Sequence, residues 1–167
     1  YVAVKAGYVT KKDTISVTED TEKTITMEKA PESTRKDVSA AWKNFRNSDD
    51  NMGITSAKTP TSEATTYEKW FKKLGSGWSA APSVQIIVDN SLIVMSANHI
   101  YKLDLNTGDI LQTGDMVAAT NFGYTPPTYA DGMIFAPLAD GRVQAFNAET
   151  LESLWVYQDP LKGQSLS

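Results

Sequence analysis

The sequence contains no cysteine and a single histidine among its 167 residues. The missing cysteines exclude disulfides, thiolate catalysis and cysteine-based zinc sites. With His99 as the only histidine, a histidine-rich metal site is excluded and a histidine-based catalytic triad has almost no basis. Long apolar runs are also missing, because even residues 84–95 are interrupted by polar side chains, whereas a spanning helix needs about 20 apolar residues. The sequence therefore predicts no transmembrane segment.

Positive charge is in short supply, with 16 Lys and Arg against 20 Asp and Glu, for a net charge of −4. A nucleic-acid binder is expected to carry a basic face, so we predict no nucleic-acid partner. Hydrophobic residues make up 41% of the chain, which is enough for a core and too much for a disordered chain. The chain starts at Tyr1 without a recognisable signal region and stops at Ser167 without a recognisable end, so we expect it to be part of a longer protein.

The first of three compositional zones, residues 1–29, is rich in threonine, valine and isoleucine. Residues 14–18 and 24–27 alternate with period 2 and predict a hairpin, preceded by a short strand near residues 1–4. Together with Ala6-Gly7-Tyr8, these segments resemble the last strands of carboxypeptidase-regulatory-like or PEGA-type surface domains. We therefore predict that residues 1–29 are the C-terminal strands of a small β-sandwich-like domain.

The second zone, residues 30–66, is polar and rich in proline, serine and threonine, as extended linkers are. Val38, Ala41, Trp42 and Phe45 nevertheless fall at helical spacing within it. Two interpretations stay open: a short helix, or an extended arm whose aromatic side chains dock onto a larger body.

The third zone, residues 67–167, contains an internal repeat. Equivalent residues recur 42 or 43 positions apart: Asp89 with Asp131, Asp104 with Asn147, Leu111 with Leu154, and Trp70 with Gln112 and Trp155. Each unit has four short apolar segments separated by hairpin-turn pairs such as Asp89-Asn90 and Asp131-Gly132. Four strands in about 40–45 residues are typical of a β-propeller blade. The predicted fold is all-β: a partial β-propeller of about two four-stranded blades over residues 67–167, after a linker and a short β-hairpin segment.

The repeats resemble those of the pyrroloquinoline-quinone-like propeller family, of the bacterial surface or secreted type. The matching residues are Ala81-Pro82, Asp89, Ile100-Tyr101, Asp104 and Thr107-Gly108 in the first unit, and Asp131-Gly132, Asn147, Thr150 and Trp155 in the second. The units depart from the family pattern at Gln112, which replaces tryptophan, at Asn147, which replaces aspartate, and at Leu151, which replaces glycine. The stretch from Trp42 to Gly53 resembles the segment that enters the first blade of the family.

The resemblance implies structural roles for a set of repeat residues. Polar turn side chains cap backbone amides, and a tryptophan after the last strand wedges between blades. The residues concerned are Trp70, Asp104, Thr107, Gly108, Asn147, Thr150 and Trp155. Tyr67, Trp70, Phe71 and Leu74 also fit helical spacing, but we favour a strand at Trp70 because the repeat phase is harder to obtain by chance.

Candidate ligand-binding residues are aromatic. Trp42, Trp78, Tyr101 and Tyr124 are predicted to contact a ligand such as a glycan, with packing between blades as the more economical alternative. The oxygen-rich loop from Arg46 to Asn51 lacks the ligand spacing of a known Ca²⁺ loop, so we predict no metal site. No phosphate loop, nucleophile motif or acid–base pair is apparent, and we predict no catalytic residues and no cofactor.

These observations predict a non-catalytic binding module of a secreted or cell-surface bacterial protein, with a propeller face that binds protein or glycan. Two alternatives stay open: a fragment of a quinone-dependent oxidoreductase or propeller hydrolase, and an envelope-assembly scaffold that resembles the propeller lipoproteins of barrel assembly. A closed propeller takes about 4–8 blades. We therefore expect the remaining blades to come from a longer chain or from self-assembly.

Overall fold

The computed structural model describes residues 1–3, 8, 11–29, 36–120 and 125–158. The chain divides into two compact units, Tyr1–Thr34 and Arg35–Ser167. In the described ranges, no helix has the length and apolar character needed to cross a bilayer.

The first unit contains a small two-stranded antiparallel sheet. Strand β1 (Val2–Ala3) pairs with β2 (Lys11–Lys12), and Val2 lies opposite Lys12. The strand predicted near residues 1–4 is therefore present, but the predicted strands at residues 14–18 and 24–27 are not formed. Val17 is 65% exposed. Apolar alternation stabilises a strand only where one face is covered, and the alternating side chains of this segment lie mostly in solvent.

The second unit contains two four-stranded antiparallel sheets, each a meander in chain order. These sheets confirm the predicted all-β fold with two blades. The first blade consists of β3 (Ile86–Val88), β4 (Ser91–Ser96), β5 (His99–Asp104) and β6 (Ile110–Asp115). The second consists of β7 (Thr128–Ala130), β8 (Met133–Pro137), β9 (Arg142–Asn147) and β10 (Ser153–Gln158). Two 3-10 turns, Glu63–Thr65 and Trp78–Ala80, precede them.

The first hairpin turn of each blade lies where the sequence predicts it. Asp89 and Asn90 have φ of 48° and 55°, and Asp131 and Gly132 have φ of 49° and 70°. In a two-residue hairpin, a turn with two consecutive left-handed residues matches the right-handed twist of the flanking strands. Asp, Asn and Gly adopt that conformation most readily.

The core lies between the two sheets. Alternate residues of each strand point towards the other blade, so that one face of each sheet is removed from water. Each such aliphatic side chain contributes about 1.5–3 kcal/mol of burial free energy. The buried cluster includes Ile86, Ile93, Met95 and Ile100 from the first blade and Ile134, Ala136 and Phe146 from the second.

An extended arm precedes the blades. The helix interpretation of residues 38–45 is therefore wrong, and the arm interpretation describes their backbone. The backbones of Trp42 and Ile87 exchange two hydrogen bonds, of 3.2 and 2.8 Å. Tyr129 donates its backbone N–H to the carbonyl of Lys43 at 2.7 Å. The arm therefore pairs with the first strand of both blades. Phe45, which the arm interpretation also predicts to dock, is 53% exposed.

Candidate interaction site at the blade seams

Trp70 docks onto a glycine turn of the first blade. Its indole Nε1 donates a hydrogen bond to the carbonyl of Leu105 at 3.2 Å. Its ring lies on Gly108, where an added Cβ would approach ring carbon Cε3 to 2.5 Å. Gly108 has φ of +73°, which favours glycine independently of the ring. We call this arrangement of the Leu105 carbonyl and Gly108 the tryptophan socket.

The backbone around Trp70 differs from both sequence-based interpretations. Residues 66–77 form neither a helix nor a strand, so the strand predicted at Trp70 is wrong. The side chain is fixed by its contacts with a distant turn, and such non-local contacts leave no periodic pattern in the nearby sequence.

The socket is part of a turn that is stabilised by the side chain of Asp104. Oδ1 of Asp104 accepts hydrogen bonds from the N–H groups of Asn106 at 2.7 Å and Thr107 at 2.9 Å. The Thr107 N–H, followed by that of Asn106, lowers the pKa of Asp104 below its ordinary value, because both bonds favour the carboxylate. The N–H of Gly108 closes the turn on the Asp104 carbonyl at 2.9 Å.

The second blade builds the same turn from different residues. Oδ1 of Asn147 accepts from the N–H groups of Glu149 at 2.8 Å and Thr150 at 3.1 Å. The N–H of Leu151 bonds to the Asn147 carbonyl at 2.9 Å, as Gly108 does in the first blade. An amide oxygen thus replaces a carboxylate oxygen without loss of the two capping bonds.

The second turn has no tryptophan socket. Leu151 stands at the position of Gly108, is buried, and holds a left-handed φ of 57°. Gln112 occupies the repeat position of Trp70, and its Oε1 is a buried oxygen without a hydrogen-bond partner in the described residues. At Gly114, an added Cβ would lie 2.8 Å from the Leu151 carbonyl, which shows how closely β6 approaches this turn. By repeat equivalence, the seam between the two blades combines glutamine with leucine. The contact of the segment around Trp70 with the first blade, which we call the preceding seam, combines tryptophan with glycine.

Two buried polar side chains join the blades beside this turn. Nζ of Lys102 donates to the carbonyls of Ala148 at 3.3 Å and Glu149 at 3.4 Å. Gln144 accepts from the N–H of Val117 at 2.9 Å and donates to the carbonyl of Asp115 at 3.2 Å. These bonds satisfy polar groups that would otherwise be buried at a cost, and they fix the register of one blade on the other.

The opposite side of the second blade carries apolar side chains that are partly exposed among the described residues. Trp155 is 42% exposed and Tyr157 is 51% exposed, and the Trp155 ring lies 5.8 Å from the ring of Phe135. Cross-strand pairing places Trp155, Ala145 and Phe135 in one row. The equivalent side of the first blade, at Ile93 and Ile100, is fully buried against the second. We call this surface the open face; it consists of Met133, Phe135, Val143, Trp155 and Tyr157.

A polar cleft of about 360 Å³ lies between the arm and β7. The Tyr129 hydroxyl accepts from the N–H of Val38 at 2.8 Å and donates to Asp37. Burial, followed by the bond to Asp37, raises the pKa of Tyr129 above its ordinary value. Nζ of Lys43 pairs with Asp49 at 2.8 Å. In the described residues, no three histidine or acidic side chains are grouped in a way that could hold a metal ion.

Three of the four predicted ligand-binding residues belong to elements other than the second blade. Trp42 belongs to the arm, Trp78 is 82% exposed in a 3-10 turn, and Tyr101 on β5 has its ring 5.9 Å from His99. Tyr124 lies outside the described residues. In the described ranges, the aromatic ring contacts are His99 with Tyr101 and Phe135 with Trp155, so the structure does not gather these side chains into one platform. Their role in ligand binding stays a prediction.

Sequence reasoning missed the open face as a unit. The alternation of Met133 and Phe135 along β8 was visible, and so was the repeat phase of Trp155. Neither signal indicates which side of a blade is covered by the adjacent blade. The contact between Tyr129 and Asp37 was also missed, because it joins residues 92 positions apart.

No curated protein matches the chain. Among solved structures, BamB from Moraxella catarrhalis is similar with 24% identity and a TM-score of 0.38, over 44% of this chain and 22% of that one. A europium-containing methanol dehydrogenase is similar with 25% identity and a TM-score of 0.39, over 52% of this chain and 18% of that one. The chain thus spans about a fifth of the length of these proteins.

The family comparison covers both blades. The matching family is described as outer membrane protein assembly factor BamB, and the match extends over residues 63–167. That range includes Trp70 with its socket, the turn at Asn147 and all eight blade strands. The chain belongs to this family of pyrroloquinoline-quinone-like propeller repeats.

Proposed function

We propose that the chain is a non-catalytic propeller module of a bacterial envelope protein and that it binds a protein partner through the open face. The observation that carries this proposal is the side of the second blade that is left partly exposed among the described residues. Its side chains are apolar or aromatic, and contiguous surfaces of this kind mark interaction sites in soluble proteins.

The chemistry of the open face suits a protein partner. Tryptophan and tyrosine are enriched in the energetically dominant positions of protein interfaces, because each removes a large apolar area from water at a low cost in side-chain entropy. Trp155 is supported by Phe135 beneath it, so its ring is partly ordered before a partner arrives. Among the described strands, none pairs with the outer edge of β10, and an edge of this kind favours association with a further strand. A glycan platform is less well supported, since Trp42, Trp78 and Tyr101 are not in mutual ring contact.

The family match supports an envelope location and a scaffold role in assembly rather than a secreted, free-standing module. The description of the matching family names an outer-membrane assembly factor. A partner of this chain would accordingly be another protein of the envelope.

The polar side chains of the second unit support a non-catalytic role. Asp104 is occupied in capping its own turn, Asp140 pairs with Arg142, and Asp49 pairs with Lys43. Acids that are held by bonds to residues close in the sequence have structural roles. The oxidoreductase alternative requires quinone binding. Titration with pyrroloquinoline quinone and Ca²⁺, followed by tryptophan fluorescence, is expected to give no saturable change.

Site-specific photo-crosslinking tests the proposed function. Benzoylphenylalanine is placed at Tyr157 on the open face, in the full-length protein, in cells that produce it. The matched control carries the same group at Val156, which points to the other side of the same strand. We expect an adduct with an envelope protein from position 157 and not from position 156. Adducts with cytosolic proteins, equal adducts from both positions, or no adduct from position 157 would overturn the proposal.

A further inference from the structure

We propose that the edges of β3 and β7 covered by the arm form a strand-addition site, and that an extended segment of a protein partner occupies this site by replacing the arm. The arm is then an autoinhibitory strand, which closes the site until the partner arrives. This inference goes beyond the proposed function, because the strands concerned are not those of the open face.

The arm is held to the blades largely through its backbone. The backbones of Trp42 and Ile87 exchange two hydrogen bonds, and Asp89 donates its N–H to the carbonyl of Ser39 at 2.8 Å. A further backbone bond joins the arm to β7. Bonds of this kind are available to any extended segment, so the pairing itself does not restrict the site to the arm.

The side chains of the arm show which sequence pattern the site accepts. Val38 and Ala40 are partly buried against the core, and the residue between them is exposed. The Tyr129 hydroxyl accepts the N–H of Val38 at 2.8 Å and donates to Asp37. In strand addition, alternate side chains confer specificity. The site is therefore expected to select an acidic residue followed by two apolar residues with one residue between them.

The arm is less firmly packed than the strands beneath it. None of residues 36–45 is fully buried, and residues 49–69, which follow the arm, are all exposed. By contrast, Ile86 and Val88 of β3 are fully buried. Segments with few buried apolar contacts open locally at a lower free energy than the core. We therefore expect the arm to lift while the edge of β3 stays formed.

A second copy of the chain is not the expected occupant. Its arm would make the same contacts as the resident arm, which has in addition a tethered effective concentration of roughly the millimolar range. A replacing segment must therefore fit the edges better than the arm does. The Oδ1 of Asn44 is buried without a hydrogen-bond partner in the described residues. Because such an acceptor is unfavourable, we expect the partner to carry an apolar residue there.

Peptide binding to the whole chain tests the exchange. The probe is a fluorescein-labelled peptide with the sequence of residues 36–45, and fluorescence anisotropy gives its dissociation constant. Only molecules with a lifted arm can bind it, so Val38→Gly in the chain should raise the affinity by at least about threefold. The same substitution in the peptide should lower the affinity by a similar factor. Lys36→Ala, at an exposed position, is the matched control and should change neither value.

Amide hydrogen exchange of the chain at saturating peptide shows where the peptide binds. The amide of Trp42 in the chain donates to Ile87, so it should lose its protection when the arm is replaced. The amide of Ile87 should keep its protection, because a carbonyl of the peptide then accepts its bond. A peptide with Asn44→Leu is expected to bind more tightly than the probe.

Several outcomes would overturn the inference. These are an affinity that does not respond to Val38→Gly in the chain, a Trp42 amide that stays protected in the complex, and an Ile87 amide that loses protection together with it. No binding to the Val38→Gly chain would also overturn it. Dimers that exchange arms at micromolar concentration, detected by native mass spectrometry, would assign the site to a second copy instead. None of these outcomes affects the open face, which is tested separately from position 157.

Discussion

Replacing the glutamine and leucine of the seam between the blades by tryptophan and glycine tests the blade packing most directly. A tryptophan at the repeat position needs a glycine in the facing turn, whereas a glutamine there leaves room for leucine. Gln112→Trp and Leu151→Gly should therefore each lower the free energy of unfolding alone, and the double variant should recover part of that loss. The double variant would rebuild, between the first and second blades, the arrangement that Trp70 and Gly108 form at the preceding seam.

The magnitudes follow from the burial of each residue. Leu151→Gly removes a buried leucine side chain at a cost of about 2–5 kcal/mol, and relief of the left-handed φ of 57° returns about 1–2 kcal/mol. Gln112→Trp overfills a seam already occupied by Leu151 and costs about 1–3 kcal/mol. In the double variant the ring takes the vacated space, so we expect a favourable coupling free energy of about 1–3 kcal/mol.

Urea unfolding followed by circular dichroism measures the free energy of unfolding for the four members of this cycle. The control cycle combines Leu151→Gly with Thr113→Trp, because Thr113 points to the other side of β6 and should not couple. Additive effects of Gln112→Trp and Leu151→Gly, within about 0.5 kcal/mol, would refute the idea that the two seams are alternatives.

Three further predictions concern the turns and the arm. Gly108→Ala is expected to lower the free energy of unfolding by at least about 2 kcal/mol and to shift tryptophan fluorescence, since the new Cβ meets the Trp70 ring at 2.5 Å and φ is +73°; an unchanged spectrum would argue against the socket. The lowered pKa of Asp104 predicts stability that is fully present above its ordinary pKa of about 4 and is lost as pH falls through the lower folded value. Thermal unfolding between about pH 2 and 6 should show this acid sensitivity reduced in Asp104→Asn and increased in Asn147→Asp; identical pH profiles would contradict the assignment. Tyr129→Phe leaves the Val38 N–H without its hydroxyl partner, so that amide should exchange with solvent faster while the Phe146 amide keeps its protection; equal acceleration at both sites would show global unfolding instead.

The blades were predictable because the signals that encode them are local. Period-2 alternation marks strands, and pairs such as Asp131-Gly132 mark the left-handed turns between them. The repeat of 42 or 43 residues then identified equivalent positions, so Asn147 could be matched with Asp104 before their capping bonds were known. The same alternation failed at residues 14–18, where Val17 lies in solvent and no strand forms.

The site itself depended on contacts that periodicity does not report. The repeat phase makes Trp70 and Trp155 equivalent, but the structure places Trp70 in a socket and leaves Trp155 42% exposed. The arm at Trp42 pairs with a strand 45 residues away, and only the folded chain brings those backbones together. Departures from the repeat pattern carried the information instead. Gln112 and Leu151 both depart from the family pattern, one on each side of the seam between the blades. Together they identify this seam as the one without a tryptophan socket.

The adduct formed from position 157 is the most direct test of the claim that the open face binds an envelope protein. A crosslink to an envelope protein that forms from position 157, is absent from position 156 and disappears in Trp155→Ala would be the predicted result. Equal crosslinking from both sides of β10, or crosslinking that is indifferent to Trp155, would contradict the claim that this face is the binding surface.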